Sequence, residues 1–370
     1  MKLGFNDGLY EVLSQIRQYA NHIGAHDKYH ATLSYALYRL LLERLEENYG
    51  EIKETGQDLD IALKEQLSNL NKSHVLEHYT EFTLDSEAAK QSIILPDRRP
   101  FDSDSKYEPE PYRLEKGSQP VLISMPHNGT LIPSAVLNTM TDAGKGVADT
   151  DWYLRILYDF MREEGCYFIT PKYSRYVIDL NRPADGAVLY PGANNTELCP
   201  TSTFAFERIY QDSGSPTEES INSRIDAIWR PYHQAIAETL DEIKQIYGGA
   251  VLLEAHSIAS QVPRFFDGTL PDFNFGTNEG KSCSNSLAKL IEEFETDGYS
   301  KVENGRFKGG YITRHYGRPD ENISTVQLEL SQRCYMDENS LSFNSEKANA
   351  VTPVLRNLIV QLKEFVNLNV

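Results

Sequence analysis

The sequence predicts an α/β protein in which a mixed β-sheet is flanked by helices and preceded by a small helical segment. From residue 119 onward, short apolar runs alternate with longer helical patterns, which is typical of strand–helix units. Residues 1–92 carry apolar side chains every three to four positions, which predicts amphipathic helices. Prolines alternate with acidic residues in the stretch 93–118. We expect a linker or a surface strap there, because proline interrupts helices and acids do not build cores.

The predicted domain at 119–370 contains five strands and four helices. Apolar runs predict the strands, at residues 120–125, 167–170, 176–180, 250–254 and 326–330. Helical spacing predicts the helices, at residues 150–164, 218–247, 286–295 and 346–365. Asp149 is expected to cap the first of these helices. Because sites in open α/β sheets form at the carboxyl ends of strands, polar residues that follow these runs are the functional candidates.

Composition limits the class of function. A formal net charge of −18 argues against nucleic acid as the main partner, because an acidic surface repels phosphate backbones. No uncharged apolar stretch is long enough for a membrane helix, and the first residues lack the features of a secretory signal. The four cysteines are far apart, which predicts free thiols in a reducing compartment and favours a cytoplasmic protein.

Two histidines and an acid stand where a metal site could form. His127 follows the first predicted strand, and His256 follows the fourth, two residues after Glu254. Asp151 lies at the start of a predicted helix. Two imidazoles and a carboxylate from separate segments match a catalytic zinc site, which has three protein ligands and one position for water. The alternative is that the histidines are hydrogen-bonded structural residues and that the carboxylate only opens a helix.

Arginine and amide side chains flank the predicted strand at 176–180. Arg175 precedes it, and Asn181 and Arg182 follow it. A guanidinium can hold a carboxylate through two parallel hydrogen bonds, and an adjacent amide adds a donor. The alternative is a surface arginine that pairs with Asp179.

Glu329 stands inside the apolar run at 326–330. A carboxylate is costly to bury unless it is paired or functional. If Glu329 faces a cleft, it is a candidate general base toward an activated water. If its strand lies at the edge of the sheet, it only faces solvent.

A glycine-rich turn at 304–310 carries Arg306 and Lys308, and Arg314 and His315 follow it. The turn matches neither a dinucleotide fingerprint nor a P-loop, so it gives no nucleotide signal. The chain also lacks the serine-hydrolase elbow and the H-E-x-x-H motif of zincins.

Taken together, these segments resemble the N-formylglutamate amidohydrolase family. The resemblance spans residues 112–338 and rests on PVLISMPHNGTLIP, DTDWYLRILYDF, YSRYVIDLNRP, LYPG, LCPTSTF, WRPYH, EAHSI, VPRFFDGTLPDFNFGTN, NGRFKGGYITRHYGRP and QLELSQRCYMDE, in the family's order. It implies a phosphorylase/hydrolase-like α/β fold related to zinc carboxypeptidases. It also implies hydrolysis of N-formyl-L-glutamate to formate and L-glutamate, the last step of one histidine-degradation route. The first 105 or so residues lie outside the resemblance.

The resemblance also implies roles for individual residues. His127 and His256 match metal histidines. Zinc carboxypeptidases would have an acid three residues after the first histidine, where this chain has Thr130. The third ligand must therefore come from elsewhere, with Asp151 as our choice and Glu254 as its rival or as an acid that orients His256.

The remaining polar residues take substrate and proton roles. Asn181 and Arg182 resemble the pair that holds a substrate carboxylate, and Glu329 resembles the general base. Arg175 and Arg314 are candidates for stabilising the oxyanion, and Arg314 is also a candidate for binding substrate.

We therefore expect a Zn²⁺-dependent amidase for a small anionic substrate, although another divalent metal could occupy such a site. One alternative is a deacylase for another N-acyl amino acid or a short peptide. A more distant alternative is a non-catalytic metal-binding regulatory protein. A homo-oligomer is compatible with the sequence.

Overall fold

The computed structural model describes residues 111–369, apart from 190, 191 and 193. The helical segment predicted at 1–92 and most of the linker predicted at 93–118 lie outside the described residues. The described end of that linker is a strand instead, Tyr112–Glu115, which pairs antiparallel with residues 168–171. Its half-buried, charged sequence follows a proline, which suits an edge strand. The stretch predicted as a linker or surface strap thus contains an edge strand at its described end.

The central sheet is mixed, as predicted. Seven of its strands lie in the described part of the chain. The strands are β1 Tyr112–Glu115, β2 Val121–Ser124, β3 Tyr167–Pro171, β4 Ala250–Ile258, β5 Phe273–Gly276, β6 Lys301–Glu303 and β7 Ile323–Ser331. Their order is β1-β3-β2-β4-β7-β5-β6. The inner strands β3, β2, β4 and β7 run parallel, whereas β1 and β5 are antiparallel to their neighbours β3 and β7.

The strands β2, β4 and β7 form the core of the sheet. Every residue in them is buried, and β4 and β7 pair over nine residues, from Ala250↔Ile323 to Ile258↔Ser331. Burial along the whole length is typical of parallel strands covered on both faces. Because these strands end at one edge of the sheet, the polar residues near their carboxyl ends are brought together.

The helices lie around this sheet. They are α1 Ser134–Leu137, α2 Asp142–Lys145, α3 Leu154–Leu157, α4 Glu218–Arg224, α5 Arg230–Tyr247, α6 Asn285–Glu293, α7 Tyr311–Tyr316 and α8 Ser345–Asn369. Short 3₁₀ turns occur at Asp159–Met161, Pro319–Glu321 and Gln332–Cys334, and two short strands at Met336–Asp337 and Ser342–Phe343. A π-helical turn at Ile225–Trp229 joins α4 to α5, so the long helix predicted at 218–247 is confirmed.

Two local predictions are wrong. Residues 176–180 form turns rather than a strand, although the apolar members of the segment are buried. The helix predicted at 150–164 is reduced to α3 and a 3₁₀ turn, because Tyr153 adopts a left-handed φ of 59° immediately before α3. Asp149 does not cap this helix; its carboxylate accepts a hydrogen bond from Phe204 N at 2.9 Å.

The four cysteines are buried and free, so no disulfide links them. In the described part of the chain, no helix has both the length and the apolar character needed to span a bilayer.

Candidate active site

The loop after β2 brings His127 to the edge of the sheet. Pro126 ends the strand, and the turn that follows packs tightly against a neighbouring segment. A Cβ atom on Gly129 would lie 2.2 Å from the carbonyl oxygen of Tyr173, so only glycine fits there. His127 O accepts a hydrogen bond from Asp151 N at 3.0 Å, which brings the segment before α3 beside the histidine.

Two imidazoles and a carboxylate converge at this edge. One ligand atom each of His127, Asp151 and His256 lies within 4.8 Å of the others, and all three residues are buried. Asp151 Oδ2 is 3.9 Å from His127 Nδ1 and 3.0 Å from His256 Nδ1. The donor set of two nitrogens and one carboxylate oxygen suits a divalent cation such as Zn²⁺. These residues therefore fit the metal that the sequence predicts.

The other ring nitrogen of each histidine faces a second carboxylate. His127 Nε2 lies 2.7 Å from Asp179 Oδ1, and His256 Nε2 lies 2.6 Å from Glu254 Oε1. Carboxylates in this position fix the orientation and tautomer of metal-binding histidines. Glu254 thus contacts Nε2 of His256, the nitrogen that faces away from Asp151. This position favours Glu254 as an acid that orients the ring over Glu254 as the third ligand.

Both orienting acids are themselves held. Asp179 Oδ2 accepts a hydrogen bond from the Arg175 guanidinium at 2.8 Å. Glu254 Oε2 accepts from the backbone N–H of Thr313 at 2.9 Å and from its hydroxyl. From the sequence, Asp179 was expected only as a partner of an arginine. It is the first residue of the DLNRP segment, and nothing in that pattern signals that it also reaches His127.

The protonation of the two histidines differs. Burial, with the nearby Arg175 charge, lowers the pKa of His127 to about 4, so its ring is neutral near pH 7. Burial alone would also lower the pKa of His256, but its hydrogen bonds to Asp151 and Glu254 raise it well above its usual range. A histidine that binds metal must be deprotonated, so metal binding at this site would release the proton from His256.

Glu329 stands next to this group on β7. It is the register partner of His256 on β4 and is 8% exposed. Burial raises the pKa of its carboxyl to about 8, and the charge of Asp151 adds to the rise, against the lowering effect of His256 and Arg175. Since β7 is an inner strand, the interpretation of Glu329 as a solvent-facing edge residue is wrong.

His127, Asp151, His256 and Glu329 line one cavity of about 60 Å³ that opens to solvent. Its wall consists of His127, Asp151, Arg175, Asn181, Arg182, Asn194, Phe204, His256, Ser257, Ile258, Phe265, Arg306, Phe307, Gly310, Gln327 and Glu329. Three guanidinium groups thus face a cavity in a protein whose formal net charge is −18.

The two residues predicted to hold a substrate carboxylate, Asn181 and Arg182, both line the cavity but make different contacts. Arg182 lines the cavity and donates to Thr196 O at 3.0 Å, Thr196 Oγ1 at 2.8 Å and Asn181 O at 2.9 Å. Asn181 also lines it, but its amide is used inside the protein. Its Oδ1 accepts from Ile312 N at 3.0 Å, and its Nδ2 lies 3.1 Å from His256 Nε2.

Of the two arginines predicted to stabilise the oxyanion, only Arg175 lines the described cavity. Arg175 is buried, lines the cavity and stacks on Phe204 with 5.0 Å between its guanidinium carbon and the ring centroid. The alternative of a surface arginine is therefore wrong, although the pairing with Asp179 is present. Arg314 is absent from the described cavity wall and donates to Gly309 O at 2.9 Å. The glycine-rich turn contributes Arg306 to the cavity instead.

Comparisons with known proteins identify the family. The sequence model of the N-formylglutamate amidohydrolase family matches residues 119–336. A protein of Pseudomonas aeruginosa named N-formylglutamate deformylase is 45% identical over 252 residues, which are 67% of this chain and 94% of that protein. A Pseudomonas putida protein of the same name is 44% identical over the same shares.

A solved structure shares the fold. The crystal structure of N-formylglutamate amidohydrolase from Ralstonia eutropha JMP134 superposes with a TM-score of 0.60 at 26% identity, covering 70% of this chain and all of that one. The family match includes every residue of the cavity wall. The chain therefore belongs to the N-formylglutamate amidohydrolase family.

Proposed function

We propose that this protein hydrolyses the formyl amide of N-formyl-L-glutamate to formate and L-glutamate in a metal-dependent reaction. One observation carries the metal-dependent mechanism: His127, Asp151 and His256 converge within a cavity that also holds a buried carboxyl group, Glu329. The names of the two curated relatives support the substrate. The three arginines of the cavity wall support an anionic ligand.

His127, Asp151 and His256 would hold the metal, with Asp179 and Glu254 orienting the two rings. A divalent ion bound there would polarise the formyl oxygen and lower the pKa of a water molecule toward neutrality. We propose Zn²⁺, because two imidazoles and one carboxylate form a common ligand set of catalytic zinc.

Glu329 is the proposed proton carrier. It takes a proton from the attacking water and passes it to the amine nitrogen of glutamate as the C–N bond breaks. Its position supports this role, because it lies in register with His256 on the neighbouring strand and faces the cavity. A base that is effective near neutral pH needs a pKa near neutrality, and burial moves the pKa of Glu329 in that direction.

The arginines are proposed to bind and stabilise negative charge. Arg175 lies beside the metal-ligand candidates, so it is placed to stabilise the oxyanion that forms as water adds to the formyl carbon. Arg182 and Arg306 are proposed to hold the carboxylates of the glutamate part. Most of the binding energy must come from these carboxylates, because a formyl group offers little surface.

We also propose that the fold is related to that of zinc carboxypeptidases, that the reaction serves histidine degradation and that the enzyme acts in the cytoplasm. The family resemblance supports the first two, and the four free cysteines are compatible with the third.

Metal analysis of the purified protein and an assay of formate release from N-formyl-L-glutamate test the proposal together. A His256→Ala variant should stay folded, lose bound metal and lose activity. Its control is His315→Ala, because His315 is a histidine outside the cavity wall. Full activity with no metal bound would contradict the mechanism. If acetate or succinate were released faster from the corresponding acyl glutamates, N-formyl-L-glutamate would not be the preferred substrate. If no acyl glutamate were turned over with metal supplied, the protein would be non-catalytic.

A further inference from the structure

Gln327 is a residue of the cavity wall that has no role in the chemistry described so far. It lies on β7 two residues before Glu329, so both side chains point to the same face of the sheet. It is 3% exposed, and its register partner on β4 is Glu254. Gln327 therefore lies beside Glu329 on the wall of the cavity, two residues farther from the carboxyl end of the strand.

The amide of Gln327 has a fixed orientation. Its Oε1 accepts a hydrogen bond from the backbone N–H of Gly310 at 2.7 Å. Because a backbone N–H can only donate, the atom that it contacts must be the amide oxygen, and the NH₂ group must take the other position. Among residues 111–369 as described, Nε2 has no hydrogen-bond partner. Since Gln327 lines the cavity, a molecule bound there can supply an acceptor for this amide nitrogen.

Gly310 connects Gln327 to Arg182. A Cβ atom on Gly310 would lie 2.2 Å from Asn181 Nδ2, so the glycine backbone and the Asn181 side chain are in close contact. Asn181 O in turn accepts from the Arg182 guanidinium at 2.9 Å. All four residues line the cavity. They form a continuous strip of wall that presents a guanidinium and an amide NH₂ group.

We propose that Gln327 binds substrate by donating a hydrogen bond from Nε2 to the carboxylate held by Arg182. The inference rests on the proposed function, which supplies a substrate with two carboxylates. An ionised carboxylate only accepts hydrogen bonds, so it matches an amide donor next to a guanidinium. A carboxamide in its place would bring its own NH₂ group against these donors. Gln327 thus selects a carboxylate over its amide at this position.

The test compares three substrates: N-formyl-L-glutamate and its two monoamides, with the amide at the side chain or at the α-carboxyl. The variants are Gln327→Met, which removes the donor, and Gln327→Glu, which keeps an acceptor for Gly310 but replaces the donor. Thr325→Val is the matched control, because Thr325 lies on the same face of β7, is buried and does not line the cavity. KM and kcat are measured for the wild-type protein and for each variant with each of the three substrates.

Both Gln327 variants should raise KM for N-formyl-L-glutamate by roughly 10- to 100-fold, the effect of losing one hydrogen bond to a charged group, with kcat changed much less. For the monoamide that lacks the contacted carboxylate, the rise should be several-fold smaller. Thr325→Val should leave all KM values unchanged. An unchanged KM in both Gln327 variants, or an equal rise for all three substrates, would overturn the proposal.

A further measurement separates this proposal from the proposed function. If the wild-type protein released no formate from any of the three substrates, the proposed function would fail. Calorimetric titration of L-glutamate into the wild-type protein and into the Gln327→Met variant would then decide the role of Gln327. A weaker Kd in the variant supports the carboxylate contact, and equal Kd values or no binding to either protein overturn it.

Discussion

Replacing Glu329 by glutamine changes one buried carboxyl group and should alter both stability and catalysis. The pKa of this carboxyl is about 8 in the folded protein, against 4.5 for an exposed glutamate. Between these two pH values the folded metal-free protein keeps a proton that the unfolded chain has released. Its stability therefore falls as pH rises, by about 1.4 kcal/mol per pH unit for this one group. Glutamine does not titrate, so this loss is absent in the variant.

The magnitude follows from the pH interval. From pH 5 to pH 8, the stability advantage of Glu329→Gln over the wild type should grow by up to about 4 kcal/mol. Groups far from Glu329 titrate equally in both proteins, so the difference between the two curves reports Glu329 together with its close neighbours. The assay is urea unfolding of metal-free protein at a series of pH values. Glu293→Gln is the control, because that glutamate has an exposed side chain on α6 and should show no such trend.

Activity gives the second measurement on the same variant. Loss of the proton carrier should lower kcat by roughly 10²- to 10⁴-fold with metal content unchanged. A stability difference that stays constant from pH 5 to pH 8 would refute the reasoning about the buried carboxyl. Near-normal kcat would refute its role as base, and the two results are independent of each other.

Two further substitutions test how the site is held. Asp179→Asn should weaken metal binding by roughly 10- to 100-fold in a chelator competition assay, because the charge that orients His127 is lost; Asp226→Asn on the exposed surface is its control, and an unchanged metal Kd would contradict the role. Gly310→Ala should destabilise the protein by about 1–3 kcal/mol in thermal unfolding, because the new Cβ would lie 2.2 Å from Asn181 Nδ2. Gly146→Ala, at a φ of −71° with space for a methyl group, should change stability by less than about 1 kcal/mol, and similar losses in both variants would remove the steric explanation.

The sequence was sufficient for the core of the sheet and for its metal-ligand candidates. The apolar runs of β2, β4 and β7 predict buried parallel strands, and the carboxyl ends of such strands meet at one edge. His127 and His256 could therefore be placed together before any contact was known. The same logic failed at 176–180, because an apolar run buried in turns has the same local pattern as a strand.

The division of labour among the acids could not be predicted. Glu254 and Asp151 were both possible third ligands, since each lies close to His256 in some arrangement of the fold. The distances favour Asp151 as the ligand, because Glu254 contacts Nε2 of His256 and Asp151 lies at Nδ1. Asp179 joins His127 to Arg175 across 52 residues of sequence, and no local pattern reports such a contact.

These contacts also explain how a metal site can be held in a buried cluster of acids. Without metal, the raised pKa values of His256 and Glu329 place two protons among Asp151 and Glu254, where positive charge is needed. A divalent cation held by His127, Asp151 and His256 would supply that charge, and both protons could then leave. Under the proposed mechanism, this exchange would leave the Nδ1 atom of His256 free to bind metal and Glu329 ionised to accept a proton. The acids, the ligands and the base would then be coupled through charge, and the site would become competent for hydrolysis only when metal replaces the protons.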